Sequence, residues 1–209
     1  MTNSIPTQPI TLYGFKLSGH CHRVELFLNL AQLPYRYVEV NLRSGEQKKP
    51  EFLEMNRFGQ VPVIEDDGVT IADSNAILVY LASRYAPDWY PQDGMLRARL
   101  QRWFSITAGP LAFGAATARW INVSGSKVDP TSAIERANSL FTVMNTELNA
   151  LLFLVSDKPS LADIAMYTYT AHAPEGNISL EPFPNVQAWV ARIEALPRFV
   201  PMLQSQPRQ

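Results

Sequence analysis

Strand signals end near Tyr85, and that break limits what the chain can fold into. Before it, short apolar runs alternate with amphipathic helical patterns; after it, only helical periodicity remains. The stretch between, APDWYPQDG at residues 86–94, carries two prolines and a glycine and reads as a linker. The expected organisation is an α/β domain at residues 1–85, a linker at 86–94 and an all-α domain at 95–209.

In the first part, residues 10–13 read as a strand and residues 21–33 as a helix. Val24, Phe27, Leu28 and Ala31 fall at i, i+3, i+4 and i+7, which is one apolar face. Pro34 ends that helix, and YRYVEVN alternates as a second strand at residues 35–41, completing a βαβ unit. A polar loop, RSGEQKKPEF, follows. Residues 60–64 and 69–72 then flank Asp66-Asp67-Gly68, and Asp-Gly between apolar runs predicts a hairpin. Asp73 and Ser74 open a helix whose stripe is Ile77, Leu78, Leu81 and Tyr85. Beyond the linker, helices are expected at 95–121, 131–155, 160–171 and 185–196, with no repeat among them.

Composition excludes several classes. A net charge of -1 with scattered Lys and Arg argues against nucleic acid and anionic membrane as partners. The balance of 46% hydrophobic and 18% charged residues is that of a soluble globular chain. No apolar run approaches the roughly 20 residues of a membrane span. MTNSIPTQP lacks the pattern of a signal peptide, and the single cysteine, Cys21, permits no intramolecular disulfide, so a cytoplasmic location is expected.

Two stretches carry chemistry: LYGFKLSGHCHRV, and NRFGQVPVIEDDGVTIADSNAILVYLASRY. Together with the later PSLADIAMY, they resemble the glutathione S-transferase superfamily, and the likeness covers nearly the whole chain. It implies a thioredoxin-like βαβ–ββα domain followed by a helical domain, as in bacterial-style cytosolic members. It also implies glutathione as cosubstrate, a small electrophile, a detoxifying role and no metal. The assembly it implies is a homodimer with the first domain of one subunit against the helical domain of the other. Phe58 is a candidate for that interface, with packing inside its own chain the plainer expectation.

The resemblance also assigns binding residues. It implies a cis peptide before Pro62, the cheap place for one, leaving the backbone of Val61 to pair with a peptide-like ligand. Asp73 and Ser74, at a helix N-terminus, can receive the γ-glutamyl carboxylate and ammonium, although each is also an ordinary capping residue. Gln60 offers an amide. Lys48 offers a cation to the glycyl carboxylate, with Lys49 as its near neighbour; Gln47 stands where plant-like members carry histidine. Ser160 and Asp163 form a capping box and read as folding chemistry.

The reactive atom is the remaining question. Ser18 falls where theta-, phi- and zeta-like members place a serine, and a hydroxyl donating to the glutathione sulfur favours the thiolate. Cys21 is a rival nucleophile, though it shares a stripe with Val24 and Leu28. Tyr13 is a second rival, and His20 and His22 are a third; at i, i+2 on a helix the two histidines make a poor metal pair. The electrophile is expected to meet apolar residues between Trp103 and Arg119, with Phe15 and Leu17. Glutathione-dependent reduction of disulfides or peroxides, and non-enzymatic glutathione binding, stay open as alternatives.

Overall fold

The computed structural model describes residues 5–205 and divides the chain into two compact units. Among the described residues, the first runs up to Tyr90 and includes Pro197–Leu203; the second is Pro91–Leu196 with Gln204 and Ser205. The division thus falls inside the expected linker, and a late segment belongs with the first unit.

The first unit is a four-stranded sheet in the order β2-β1-β3-β4. β1 (Ile10–Gly14) is parallel to β2 (Tyr35–Glu39) and antiparallel to β3 (Val63–Asp66), which pairs antiparallel with β4 (Val69–Ala72). The two-residue turn before β4 has φ of 48° at Asp67 and 81° at Gly68, the positive pair that a tight hairpin requires. Between β1 and β2 lies α1 (Gly19–Leu30), and α3 (Ser74–Tyr85) follows β4. Leu12 pairs with Ile64 in register and Tyr13 with Val63, so the two pairs face opposite sides of the sheet. On the Tyr13 and Val63 side, Phe52 of α2 (Pro50–Met55) joins a cluster with Val40. On the other side, Val24, Phe27, Leu28, Ile77, Leu78 and Leu81 are fully buried. Each such side chain contributes about 1.5–3 kcal/mol by leaving water.

Several boundaries differ from expectation. α1 starts two residues early, because the Ser18 side chain caps it, and stops at Leu30, where Gln32 turns with φ 58°. β2 ends at Glu39, and β3 begins at Val63 rather than at residue 60. The loop expected after β2 contains α2, whose first residue is Pro50, a favourable helix start.

The second unit is helical. The helix expected over residues 95–121 is three pieces: α4 (Gly94–Ile106), a π-helical segment (Thr107–Ala116) and α5 (Thr117–Ser124). Pro110 lies inside the π segment, where its missing N–H breaks the ordinary hydrogen-bond ladder. α6 (Thr131–Glu147) ends eight residues before the expected position 155. Phe153, Leu154 and Val155 leave the helix but stay buried. α7 (Leu161–Ala171) and α8 (Pro184–Glu194) complete the unit. The capping box is present, and Asp163 does more than cap. It is fully buried and accepts from the Leu154 N–H at 2.9 Å, the Trp189 Nε1–H at 2.9 Å, and Ser160 N–H and O–H at 2.8 and 3.0 Å. Elsewhere, buried Arg119 pairs with Glu175 at 2.9 Å, and Glu175 also receives His172 and Ser205. No helix among the described residues is long and apolar enough to cross a membrane.

Candidate functional site

The β1–α1 junction, the loop before β3 and the start of α3 meet at one cleft of about 590 Å³ in the first unit. Ser18, His20, Gln60, Val61, Pro62, Asp73 and Ser74 all line it. Residues from positions 18 to 74 converge because β1 and β3 are neighbouring strands and both α1 and α3 begin at the same end of the sheet.

Ser18 is the N-cap of α1, and its Oγ accepts the Cys21 N–H at 3.4 Å. The helix presents its positive end there, which favours an anion. Cys21 is fully buried and receives the Phe15 N–H at 3.3 Å. Burial pushes its thiol up to about 11, against hydrogen bonds from Ser18 and Phe15 that pull it down. A thiol so placed stays protonated at neutral pH and is a poor nucleophile. Tyr13 is outside the cleft lining: its hydroxyl donates to Glu65 Oε2 at 2.6 Å, and that bond, with burial and the nearby charge, raises its pKa. His22 lies 2.9 Å through Nε2 from the Val200 carbonyl and ties Pro197–Leu203 to the first unit.

Val61-Pro62 is cis, and Val61 lies before the β3 ladder begins. Asp73 adopts φ 74°, ψ 123°, a conformation costly for a side-chain-bearing residue. Through Oδ1 it caps α3, accepting from Asn75 and Ala76 N–H at 2.9 and 3.0 Å. Ser74 is buried, and its Oγ already accepts from Arg23 Nη1 at 3.0 Å. His20 Nδ1 is 3.4 Å from the same oxygen. Burial, and then the charge of Arg23, push His20 down to about 3, so its ring is neutral at pH 7.

Lys48 lies beside the loop that precedes Gln60. Its ammonium donates to the Phe58 carbonyl at 3.0 Å, and the residue is not among those lining the cleft. It braces a turn at Gly59, where φ is 58° and an added Cβ would stand 2.6 Å from the Gln47 carbonyl. Gln47 does line the cleft, and its Oε1 is buried with no partner among the described residues. Asn56 and Arg23 were missed by sequence reasoning, and Phe58, named there only for a subunit interface, lines the cleft. Asn56 is buried, holds the Gln60 carbonyl at 2.8 Å and receives the Phe58 N–H at 3.1 Å, shaping the cleft's far wall. The spacing Asn-x-x-Gly ahead of Gln-Val-Pro was a turn signal for it. Phe58 is 81% exposed, so the expected packing within its own chain is absent.

Phe15 and Leu17 line a separate hollow in the first unit, of about 410 Å³, with Arg43 and Leu203. Trp103, Phe104, Leu111 and Arg119 are buried in the second unit, and the Trp103 N–H is spent on the Leu154 carbonyl at 2.9 Å. Ile106 and Ala112 in that stretch are half-buried, and Phe113 is exposed. No group of His, Cys, Asp or Glu among the described residues could hold a metal ion.

A mixed sheet with a cis-proline loop and two helix N-termini on one cleft defines a thioredoxin-like domain, here joined to an all-α unit. Residues 17–84 match the family model for the glutathione S-transferase N-terminal domain, and residues 100–197 match that for the C-terminal domain. The chain belongs to the glutathione S-transferase family. It is 31% identical to glutathione S-transferase theta-1 of Mus musculus, over 89% of this chain and 82% of the relative. A glutathione S-transferase from Pseudomonas fluorescens superposes with a TM-score of 0.88 at 33% identity, covering 94% of this chain and all of that one. A glutathione transferase homolog from Drosophila mojavensis, solved with bound glutathione, gives 0.82 at 27% identity, over 90% of this chain and 89% of that one.

Proposed function

We propose that this glutathione transferase holds glutathione in the first-unit cleft and uses Ser18 to favour its thiolate, which attacks an electrophilic carbon. The convergence of Ser18, the Val61-Pro62 backbone and the Asp73–Ser74 helix start on one cleft carries the reading. The γ-glutamyl carboxylate goes to the α3 N-terminus and Ser74, and its ammonium to Asp73. The peptide backbone pairs with Val61, and the glycyl end lies towards Gln60 and Gln47. The Ser18 O–H donates to sulfur; the thiol proton leaves to solvent, an S–C bond forms, and the electrophile's leaving group departs with the bonding pair. The substrate is a small apolar electrophile. A thiol-exchange reductase built on Cys21 is disfavoured by its burial and raised pKa. Cytoplasmic location and a detoxifying role belong to the same proposal, carried by family membership alone.

Calorimetry tests the site. Asp73→Asn keeps a capping side chain but removes the charge, and Ser74→Ala removes the hydroxyl. Each is expected to weaken glutathione binding by about 1–3 kcal/mol, the worth of a charge-assisted hydrogen bond. Unchanged affinity in both variants overturns the assignment. In the same preparations, glutathione is expected to react with a model aryl halide rather than to reduce a hydroperoxide or a mixed disulfide.

The homodimer is likewise proposed. An aromatic side chain as exposed as Phe58, at 81%, gains by being covered. Light scattering at micromolar concentration is expected to give twice the 23.5 kDa chain mass. Phe58→Ala is expected to move the population towards monomer. A wild-type monomer refutes the dimer.

A further inference from the structure

We infer that His20 is a positioning residue for Ser74, and through it for the carboxylate end of glutathione. The inference rests on reading the cleft as the glutathione site. A serine hydroxyl has two acceptor positions and one hydrogen to give. Behind Ser74, Arg23 comes from α1 and is 1% exposed. Its Nη1 donates to Ser74 Oγ at 3.0 Å and lies 3.0 Å from Asn75 Oδ1, so it grips the first turn of α3 at two points. His20, also on α1, brings Nδ1 to 3.4 Å from the same Oγ and lines the cleft beside it.

Once a carboxylate takes the Ser74 hydrogen, the contact with His20 persists only if the Nδ1–H donates. Arg23 and His20 then fill both acceptor positions of Oγ. The remaining direction, along the O–H, is turned to the ligand. A neutral imidazole suits this task, because it supplies a donor without adding a second buried charge next to Arg23. The amide of asparagine has a donor at the same remove from the backbone, and alanine has none.

Steady-state kinetics with glutathione varied and a model aryl halide fixed tests the inference. His20→Ala is expected to raise the KM for glutathione about five-fold, the worth of one ordinary hydrogen bond. The kcat at saturating glutathione is expected to hold, since Ser18 and the sulfur are untouched. His20→Asn is expected to restore KM to within about two-fold of wild type, since its amide supplies the donor. In a Ser74→Ala background, adding His20→Ala is expected to raise KM no further, because the oxygen it positions is gone. Additive effects in that pair, failure of asparagine to rescue, or a fall in kcat at unchanged KM each overturn the inference. Should His20→Ala not fold, His20→Asn against His20→Leu gives the same comparison. If Ser74→Ala itself leaves KM unchanged, the glutathione reading of Ser74 fails, a result distinct from failure of the His20 role.

Discussion

Ser18→Ala is expected to lower the conjugation rate at pH 7 about ten-fold for each pKa unit by which the bound thiol rises, one unit being about 1.4 kcal/mol. Ser18 lines the cleft at the N-terminus of α1, where its O–H and the helix dipole both favour a thiolate. Without the hydroxyl, the thiolate fraction falls at neutral pH and returns as pH rises, so the variant is expected to recover part of its rate in alkali. Glutathione affinity is expected to change less, because the contacts proposed at Val61, Asp73 and Ser74 remain. Cys21→Ala is expected to leave conjugation nearly intact, given a thiol held at about 11. Tyr13→Phe is expected to behave likewise, because that hydroxyl is bound to Glu65. Titrating the absorbance of the bound thiolate against pH in the wild type and all three variants decides the matter. If Ser18→Ala leaves the titration unmoved while Cys21→Ala or Tyr13→Phe shifts it, the wrong atom has been chosen. If none shifts it, backbone N–H groups at the start of α1 hold the thiolate.

Asp163→Ala is expected to cost the protein about 3–5 kcal/mol, the scale of a buried network that loses its hub. Four donors converge on this carboxylate: Leu154 N–H, Trp189 Nε1–H, and the N–H and O–H of Ser160. Burial pushes the Asp163 carboxyl up, and those hydrogen bonds pull it down, so the side chain sits in a pocket that only full pairing makes tolerable. Alanine would strand the donors and leave a void beside Trp189. Asp163→Asn is expected to cost less, since its carbonyl still accepts while its amide faces the Ser160 N–H. Denaturant unfolding of the wild type and both variants measures the difference. A loss under about 1 kcal/mol for alanine would reduce Asp163 to an ordinary cap.

The notable difference between these residues lies in what made them visible. Ser160 and Asp163 were legible as a capping box, a local rule about a helix's first turn. The reach of Asp163 to Leu154 and Trp189 was not, because those residues are nine and twenty-six positions away along the chain. The same partners explain the helix that ends early. Residues 148–155 are apolar and helical in pattern, yet the Leu154 N–H goes to Asp163 and its carbonyl to Trp103, so the backbone's bonds are used outside a helix.

The cleft divides in the same way. Ser18 and the Val61-Pro62 backbone were picked out by the resemblance of their stretches to glutathione S-transferases, and Asp73 and Ser74 also by a local rule, since they open a helix. Lys48 was assigned to the glycyl carboxylate as a cation in a polar loop, and the tertiary structure adds that its ammonium meets the Phe58 carbonyl beside the positive-φ turn at Gly59. Arg23 lay inside a helical pattern and His20 stood as a rival for the reactive group, and they reach Ser74 only because α1 and α3 begin side by side. By itself, the sequence determined which segments could be strands, helices and turns, and which residue types stood at their ends, since those follow from interactions within a few residues. Only the tertiary structure decided which of those ends face one another, which polar groups are already satisfied by distant partners, and so which remain to meet a ligand. Hydrogen-bond partners that lie far apart in sequence leave no local trace, and burial fixes their worth only once the chain has closed around them.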